Sequence, residues 1–427
     1  MKKFIYSVFI FSTAALSCFF LSACKKEEES NKKEKIRLEF YNRKRESYAA
    51  LEKIINKFNK SQDEIEVFQN MNTNADTALR IAAVEGNFLD IVELGGLQSV
   101  ETFEYVMGNC LVPLDEMECV KQIKEEYLPY LQYNSHIYQM PLAMSFEGIY
   151  VNRELFQEEG IGLPDTYEEL CQVSEEILRR GKIPFLFADK EGWTIHQNWE
   201  CIEGATRGNF ESFWTDVAEG RTSFTEDAIC RGSLEKLIDL HKYTTEEYYD
   251  LNYNEALAKF AEGEAFMMIQ GSWAYRNIMD MNPEINLELI PFPVDEGTQQ
   301  LITMWIDSSI GISSDCKYRE EAEEFIEFLM QPENLQMYLN EESSLSSLKN
   351  SQNRAKYAPR VHELLESGHA VMDASWLPLQ TSVIRDMDIE ELMPDADSEE
   401  IEKYLDKYTK SLQKHKELYL EAKEKRQ

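Results

Sequence analysis

The stretch from Ile36 to Gly96, IRLEFYNRKRESYAALEKIINKFNKSQDEIEVFQNMNTNADTALRIAAVEGNFLDIVELGG, carries the pattern that decides the fold. Ile36, Leu38 and Phe40 share one side of an alternating run. Leu51, Ile54, Ile55 and Phe58 then recur at helical spacing, so a strand gives way to a helix. Ile65 and Val67 restart the alternation, residues 78–84 read as a second helix, and the apolar run from Leu89 to Leu94 stops at Gly95-Gly96. This βαβαβ order builds a parallel sheet with right-handed crossovers. Open sheets of that kind hold ligands beyond the carboxyl ends of their strands, which singles out loops 41–47 and 94–97.

The same α/β alternation continues outward. Thr166 followed by Glu169 is a capping box that opens a helix. Ala322, Phe325, Ile326 and Leu329 form a helical stripe that Pro332 is expected to end. Ile401, Tyr404, Leu405, Tyr408 and Leu412 mark a final amphipathic helix, and no internal repeat is visible.

With 427 residues, 43% of them hydrophobic and 11% aromatic, the chain has material for two or three domain-sized units. Lys+Arg number 44 against 78 Asp+Glu, a formal net charge of -34, which excludes a phosphate backbone as partner: no nucleic acid is expected. At the start, Lys2 and Lys3 precede an apolar run from Phe4 to Phe20 that ends in Leu21-Ser22-Ala23-Cys24, the order of a secretory signal over residues 1–23. A transmembrane anchor is the competing reading, against which Ser7, Ser12, Thr13 and Ser17 count. Leu-Ser-Ala-Cys resembles the bacterial lipobox, which implies cleavage before Cys24, lipidation of its sulfur and attachment to the membrane. Residues 24–35 then form a charged tether without apolar residues after Cys24, about 3.3 Å per residue when extended. The remaining cysteines, Cys110, Cys119, Cys171, Cys201, Cys230 and Cys316, contain no CxxC pair, so zinc and thioredoxin-type chemistry lack support. Cys110 and Cys119 are the closest pair for a disulfide, and free thiols are the equal alternative.

Several further segments occur in a recognisable order. They are Gly86-Asn87-Phe88-Leu89-Asp90-Ile91, Leu111-Val112-Pro113-Leu114-Asp115, Tyr138-Gln139-Met140-Pro141 with Tyr150-Val151-Asn152-Arg153-Glu154-Leu155-Phe156, and Gly160-Ile161 through Leu170. Later come Phe260-Ala261-Glu262-Gly263-Glu264-Ala265-Phe266-Met267, Gly271-Ser272-Trp273-Ala274, and Glu324-Phe325-Ile326 running to Pro332-Glu333-Asn334. In this order they resemble the extracellular solute-binding proteins of ABC importers, in particular the sugar binders that include maltose-binding and multiple-sugar-binding proteins. The one departure is Leu89, where the family motif has Pro. The resemblance covers nearly all of the mature chain. It implies a two-lobed periplasmic-binding-protein-like (type II) α/β fold, with lobe one at 36–143 plus 305–343 and lobe two at 144–304 plus 344–427. Crossings between them are expected near 142–145, 303–305 and 343–348, and solute sits in the cleft between the lobes. The implied partners are a carbohydrate, the ABC permease and, through the lipid, the membrane; the chain is expected to be a monomer needing no cofactor or metal.

A pyranose offers an apolar C–H face and a rim of hydroxyls, so its site needs aromatic platforms with fixed polar groups at the edges. The resemblance places Trp273 in the cleft, and Trp376 precedes a stretch similar to the family's late helix. Trp305 lies at the second crossing, and Trp193 and Trp199 share a segment where relatives often place a platform; Trp214 is expected in the core. Arg45 and Glu46 follow the first strand, Glu147 adjoins the first crossing and Asp307 the second, and each could grip hydroxyls. Asp90 is expected to cap local backbone instead. The chain has no Gly-x-Ser-x-Gly, His-Glu-x-x-His or phosphate loop, and Asp395, Asp397 and Glu399 read as a solvated helix start in place of a calcium loop. It is therefore not expected to be an enzyme. A surface carbohydrate-active enzyme and a sensory subunit for a membrane kinase are the alternatives.

Overall fold

The computed structural model describes residues 34–44, 47–71, 75–86, 88–97, 99–246, 249–351, 354–372 and 389–425. Eleven strands are found among them: β1 (Ile36–Asn42), β2 (Ile65–Met71), β3 (Ile91–Leu94), β4 (Gln132–Tyr133), β5 (His136–Ile137), β6 (Met140–Asn152), β7 (Ile183–Phe185), β8 (Ala265–Gly271), β9 (Leu287–Ile290), β10 (Ile302–Ile312) and β11 (Ala370–Met372). Apart from the β4–β5 ribbon they form one sheet in the order β2-β1-β3-β10-β6-β8-β7, with β9 on β6 and β11 on β10. The β1–β2 and β1–β3 pairs are parallel, as the strand–helix–strand order of this stretch leads one to expect.

Two long strands, β10 and β6, lie in the middle of the sheet. All 13 residues of β6 are buried, and at about 3.3 Å per residue it extends roughly 40 Å. Its first part pairs antiparallel with β10, from Ile310 opposite Met140 to Met304 opposite Phe146, with irregular register around Ser308. Its second part pairs with β8 and β9. Strand β3 joins the far end of β10, Leu94 lying opposite Ser309. Burial on both faces explains why β6 reads as a nearly unbroken apolar run, MPLAMSFEGIYVN, without the alternation of a half-exposed strand.

One core lies beneath β1 and continues along β6, with Phe40, Phe58 and Phe325 in edge-to-face contact. A second, at the β7 end, packs Phe187, Trp199, Trp214, Phe224 and Tyr408 between helices Gly192–Gly204, Phe210–Ala218 and Ser398–Lys414. The capping box at Thr166 is formed with Glu169, and Asp397 makes another with Glu400, so the acidic run near 397 is a helix start. Pro332 has a different role from the expected one. The helix before it, Arg319–Leu329, already stops, and Pro332 opens a new helix, Pro332–Glu342, where its missing N–H costs nothing. Ser343 then turns left-handed (φ 54°), and Leu345 bonds through both backbone groups to Met144 on β6. All six cysteines among the described residues are free thiols, so Cys110 and Cys119 are unpaired by disulfide. Asp90 does bond to backbone, accepting the N–H of Glu39 at 2.9 Å, but the partner lies on β1, 51 residues away, and is not the local backbone expected.

Candidate functional site

Side chains alternate across a strand, so Thr303 and Trp305 of β10 face one way and Met304 the other. Trp305 lies directly opposite Ser145 of β6, which brings Ser145 and, two residues on, Glu147 to that same face. Asp307 joins them, accepting a hydrogen bond from Ser145 Oγ at 3.0 Å. Strand β8 ends where Gly271 sits opposite Glu147. The chain then turns: Ser272 N–H donates to Phe146 O at 2.8 Å, and Trp273 precedes the helix Ala274–Met281. Its indole folds back over Gly271, where a Cβ would stand only 1.8 Å from the ring. Glycine is thus the residue that admits the ring. The half-buried indoles of Trp273 and Trp305 meet edge to face, 5.4 Å between centroids and 64° between planes.

Loops beyond β1 and β3 close one side of this face. Gly96 N–H donates to Ile306 O at 3.0 Å, and an Arg43 guanidinium nitrogen donates to Asp307 O at 3.3 Å. Lys44 Nζ lies 2.7 Å from both Asp307 Oδ2 and Glu342 Oε2. Burial works against the Lys44 charge, but the two carboxylates hold its pKa above the usual lysine range. Burial likewise opposes ionisation of Asp307, and the Lys44 charge and hydrogen bond overcome it, so its carboxyl titrates below the ordinary aspartate range. Glu342 is different: burial pushes it up to about 7 despite Lys44, and its Oε1 has no hydrogen-bond partner. The loop itself is held by Glu93 of β3, fully buried, whose carboxylate accepts from Arg43 N, Lys44 N, Ser308 Oγ and Tyr338 Oη at 2.7–3.2 Å.

The helix Gly192–Gly204 stands on the other side. Trp193, Gln197, Cys201 and Gly204 recur at helical spacing on one stripe. Gly204 touches Thr303, since a Cβ there would fall 1.9 Å from its Oγ1. Burial pushes the Cys201 thiol far above its usual pKa, and the charge of Glu147 adds to this. The stripe therefore runs from Trp193, 47% exposed and edge-on to Tyr253 at 5.2 Å, down to β10 at Thr303.

Of the residues singled out from sequence, the structure brings Trp273, Trp305, Glu147 and Asp307 together and sets Trp193 at the rim. Trp199 must be corrected. It is 4% exposed, its indole N–H donates to Ser233 Oγ at 2.8 Å, and Tyr404 and Tyr408 pack around it, so it is core. Trp214 is core as well. Trp376, Arg45, Glu46 and Cys24 lie outside the described residues. Sequence reading missed Lys44, Glu93, Ser145 and Glu342, whose partners are distant in the chain. Among the described residues no group of three or more His, Cys, Asp or Glu side chains is placed to hold a metal ion. Two angled aromatic faces ringed by fixed polar groups can seat a ligand with apolar faces and hydroxyl edges.

Comparison with known proteins agrees with this architecture. Residues 53–363 match the family described as bacterial extracellular solute-binding protein. The multiple sugar-binding protein of Streptococcus mutans is 26% identical over 352 residues, covering 81% of this chain and 84% of that protein. The melibiose/raffinose/stachyose-binding protein MelE of Bacillus subtilis is 20% identical over 296 residues, 64% of this chain and 65% of its own. In structure, RafE in complex with raffinose superposes with a TM-score of 0.76 at 22% identity, covering 89% of this chain and all of that one. The apo form of RafE from Streptococcus pneumoniae gives 0.74 at 22% identity over 90% of this chain and 98% of its own. With the family matched over most of its length and the two-lobed fold shared with solved relatives, this chain belongs to the bacterial extracellular solute-binding proteins.

Proposed function

We propose that this protein captures a carbohydrate, specifically an oligosaccharide, between its two lobes and delivers it to the membrane permease of an ABC importer. The observation that carries this reading is the Trp273–Trp305 pair on the crossing face, half-buried, with Ser145, Glu147 and Asp307 beside it. Stacking platforms with adjacent fixed polar groups suit pyranose rings. The names of the relatives, which refer to multiple sugars, raffinose and stachyose, support the same class of ligand. In this reading residues 36–143 with 305–343 form lobe one and 144–304 with 344–427 form lobe two, with Trp376, Arg45 and Glu46 adding to the cleft.

Thermal unfolding with raffinose, stachyose and chitin oligosaccharides tests the binding. A ligand at 100 times its dissociation constant should stabilise by about 2.7 kcal/mol. Because a ligand shifts an open–closed equilibrium only by its differential affinity, one that touches both lobes should also compact the protein in small-angle scattering. No shift with any saccharide refutes the carbohydrate reading, and an unchanged radius at saturation refutes closure.

The family is extracytoplasmic, and no helix among the described residues is long and apolar enough to cross a membrane. Attachment is proposed through lipid on Cys24, with residues 25–35 as tether. Cys24→Ser should release the protein from membranes with unchanged fold and saccharide binding. A variant that stays in the membrane fraction after a high-salt wash would refute the lipoprotein assignment.

A further inference from the structure

Buried polar groups in folded proteins nearly always have partners, and one left without costs stability. Gln197 is 6% exposed, yet neither its Nε2 nor its Oε1 has a hydrogen-bond partner. Thr303, also 6% exposed, has an unpartnered Oγ1. The two approach the crossing face from different elements. Gln197 lies on the stripe that descends from exposed Trp193 to Gly204, and Gly204 rests against Thr303, which shares its strand face with Trp305. His196, on the same turn as Gln197, has an unpartnered Nε2 as well, and burial lowers its pKa to about 4, so it is neutral.

We infer that Gln197 forms the polar edge of a subsite for one uncharged sugar unit that carries two neighbouring free hydroxyls, with Thr303, about two helical turns further along the stripe, facing the adjoining unit. The inference rests on the carbohydrate reading of the cleft and adds the residues that select within that class. A primary amide presents a donor and an acceptor side by side, and adjacent hydroxyls return one of each, so a single diol satisfies both orphan atoms. The stripe holds no ammonium or guanidinium to meet an anionic group. A uronate carboxylate here would also approach Glu147, which is 5% exposed and lies at the crossing. Acidic sugars are therefore rejected at this position.

The test uses whichever of raffinose, stachyose or a chitin oligosaccharide stabilises the wild-type protein most. Gln197→Met keeps length and volume while removing both polar atoms. Its dissociation constant for that saccharide should rise about 10-fold or more, as expected for two lost hydrogen bonds. The melting temperature of the unliganded variant should hold or rise, because an unsatisfied amide has left a buried position. Thr303→Val should show the same pattern with a smaller loss, and it provides the test if the first variant does not fold. Unchanged affinity in both variants overturns the inference, as does a fall in unliganded stability with no change in affinity, which would mark the amide as structural. Digalacturonate should leave the wild-type melting temperature unshifted at concentrations where the neutral saccharide saturates, and tighter binding of it overturns the exclusion. If Trp273→Ala weakens binding and Gln197→Met does not, only this inference fails. If the wild type binds no saccharide, the carbohydrate reading fails first.

Discussion

Trp273→Ala should weaken saccharide binding by about 2–4 kcal/mol, the loss typical when a buried aromatic anchor is truncated. The ring is suited to that role by its surroundings. It is half-buried, lies over the backbone at Gly271 and meets Trp305 at an angle, so one stacking surface is fixed in place before any ligand arrives. Preorganisation of this kind reduces the ordering cost of binding. Calorimetric titration gives the affinity and a denaturant melt gives the stability. A core tryptophan would show the opposite balance: a stability loss of about 3–5 kcal/mol with affinity intact in the folded fraction. Gly271→Ala supplies a control that keeps the ring, since the new Cβ, 1.8 Å from it, must displace the indole. That variant should lose affinity in the same direction and change the tryptophan emission. Intact affinity in both variants would remove Trp273 from the site.

How much of this was readable from sequence depends on the range of the contacts. The β1–β3 unit follows from local periodicity, and parallel pairing follows from the order of its elements. Trp273 is marked by the resemblance of Gly271-Ser272-Trp273-Ala274, and the structure adds why the glycine two residues before it is needed: without a Cβ it lets the ring lie against the backbone. Thr166 and Asp397 are helix starts whose caps lie within three residues. Trp199 could not be distinguished from Trp193 in this way. Both sit on one helix, and what separates them is Ser233, Tyr404 and Tyr408, brought in by later elements. Lys44 was hidden for the same reason. In the run Arg43-Lys44-Arg45-Glu46 it looks like a solvated helix-start charge, whereas one of its partners, Glu342, is 298 residues away. Glu342 in turn follows Glu341 in an acidic stretch that resembles ordinary surface, yet it is 1% exposed.

That buried cluster gives the largest expected effect on stability. Lys44→Met should destabilise the protein by about 3–5 kcal/mol, the cost of leaving buried charge without its partner. Both carboxylates would remain, Asp307 with Ser145 Oγ as its side-chain donor and Glu342 with no other ion-pair partner among the described residues. The pH dependence separates the two. Glu342 titrates near 7 in the folded protein, above its ordinary value, so the folded state binds more protons than the unfolded state between those pH values. Its contribution is therefore fully present below the unfolded glutamate pKa and is lost as pH rises through about 7. Asp307 is depressed by Lys44, so its contribution is present above the unfolded aspartate pKa and is lost as pH falls through the lower folded value. Glu342→Gln should flatten the decline in stability on the way to pH 7 and leave the acid limb set by Asp307. In Lys44→Met that decline should steepen, because Glu342 loses the charge that favours its ionised form. The double variant Lys44→Met/Glu342→Gln should recover part of the loss at pH 7, as the amide carries no charge to strand. Denaturant melts of the three variants at pH 5 and pH 7.5 measure each of these. A Lys44→Met protein as stable as wild type at both pH values would mean that the cluster is solvated and carries no such load.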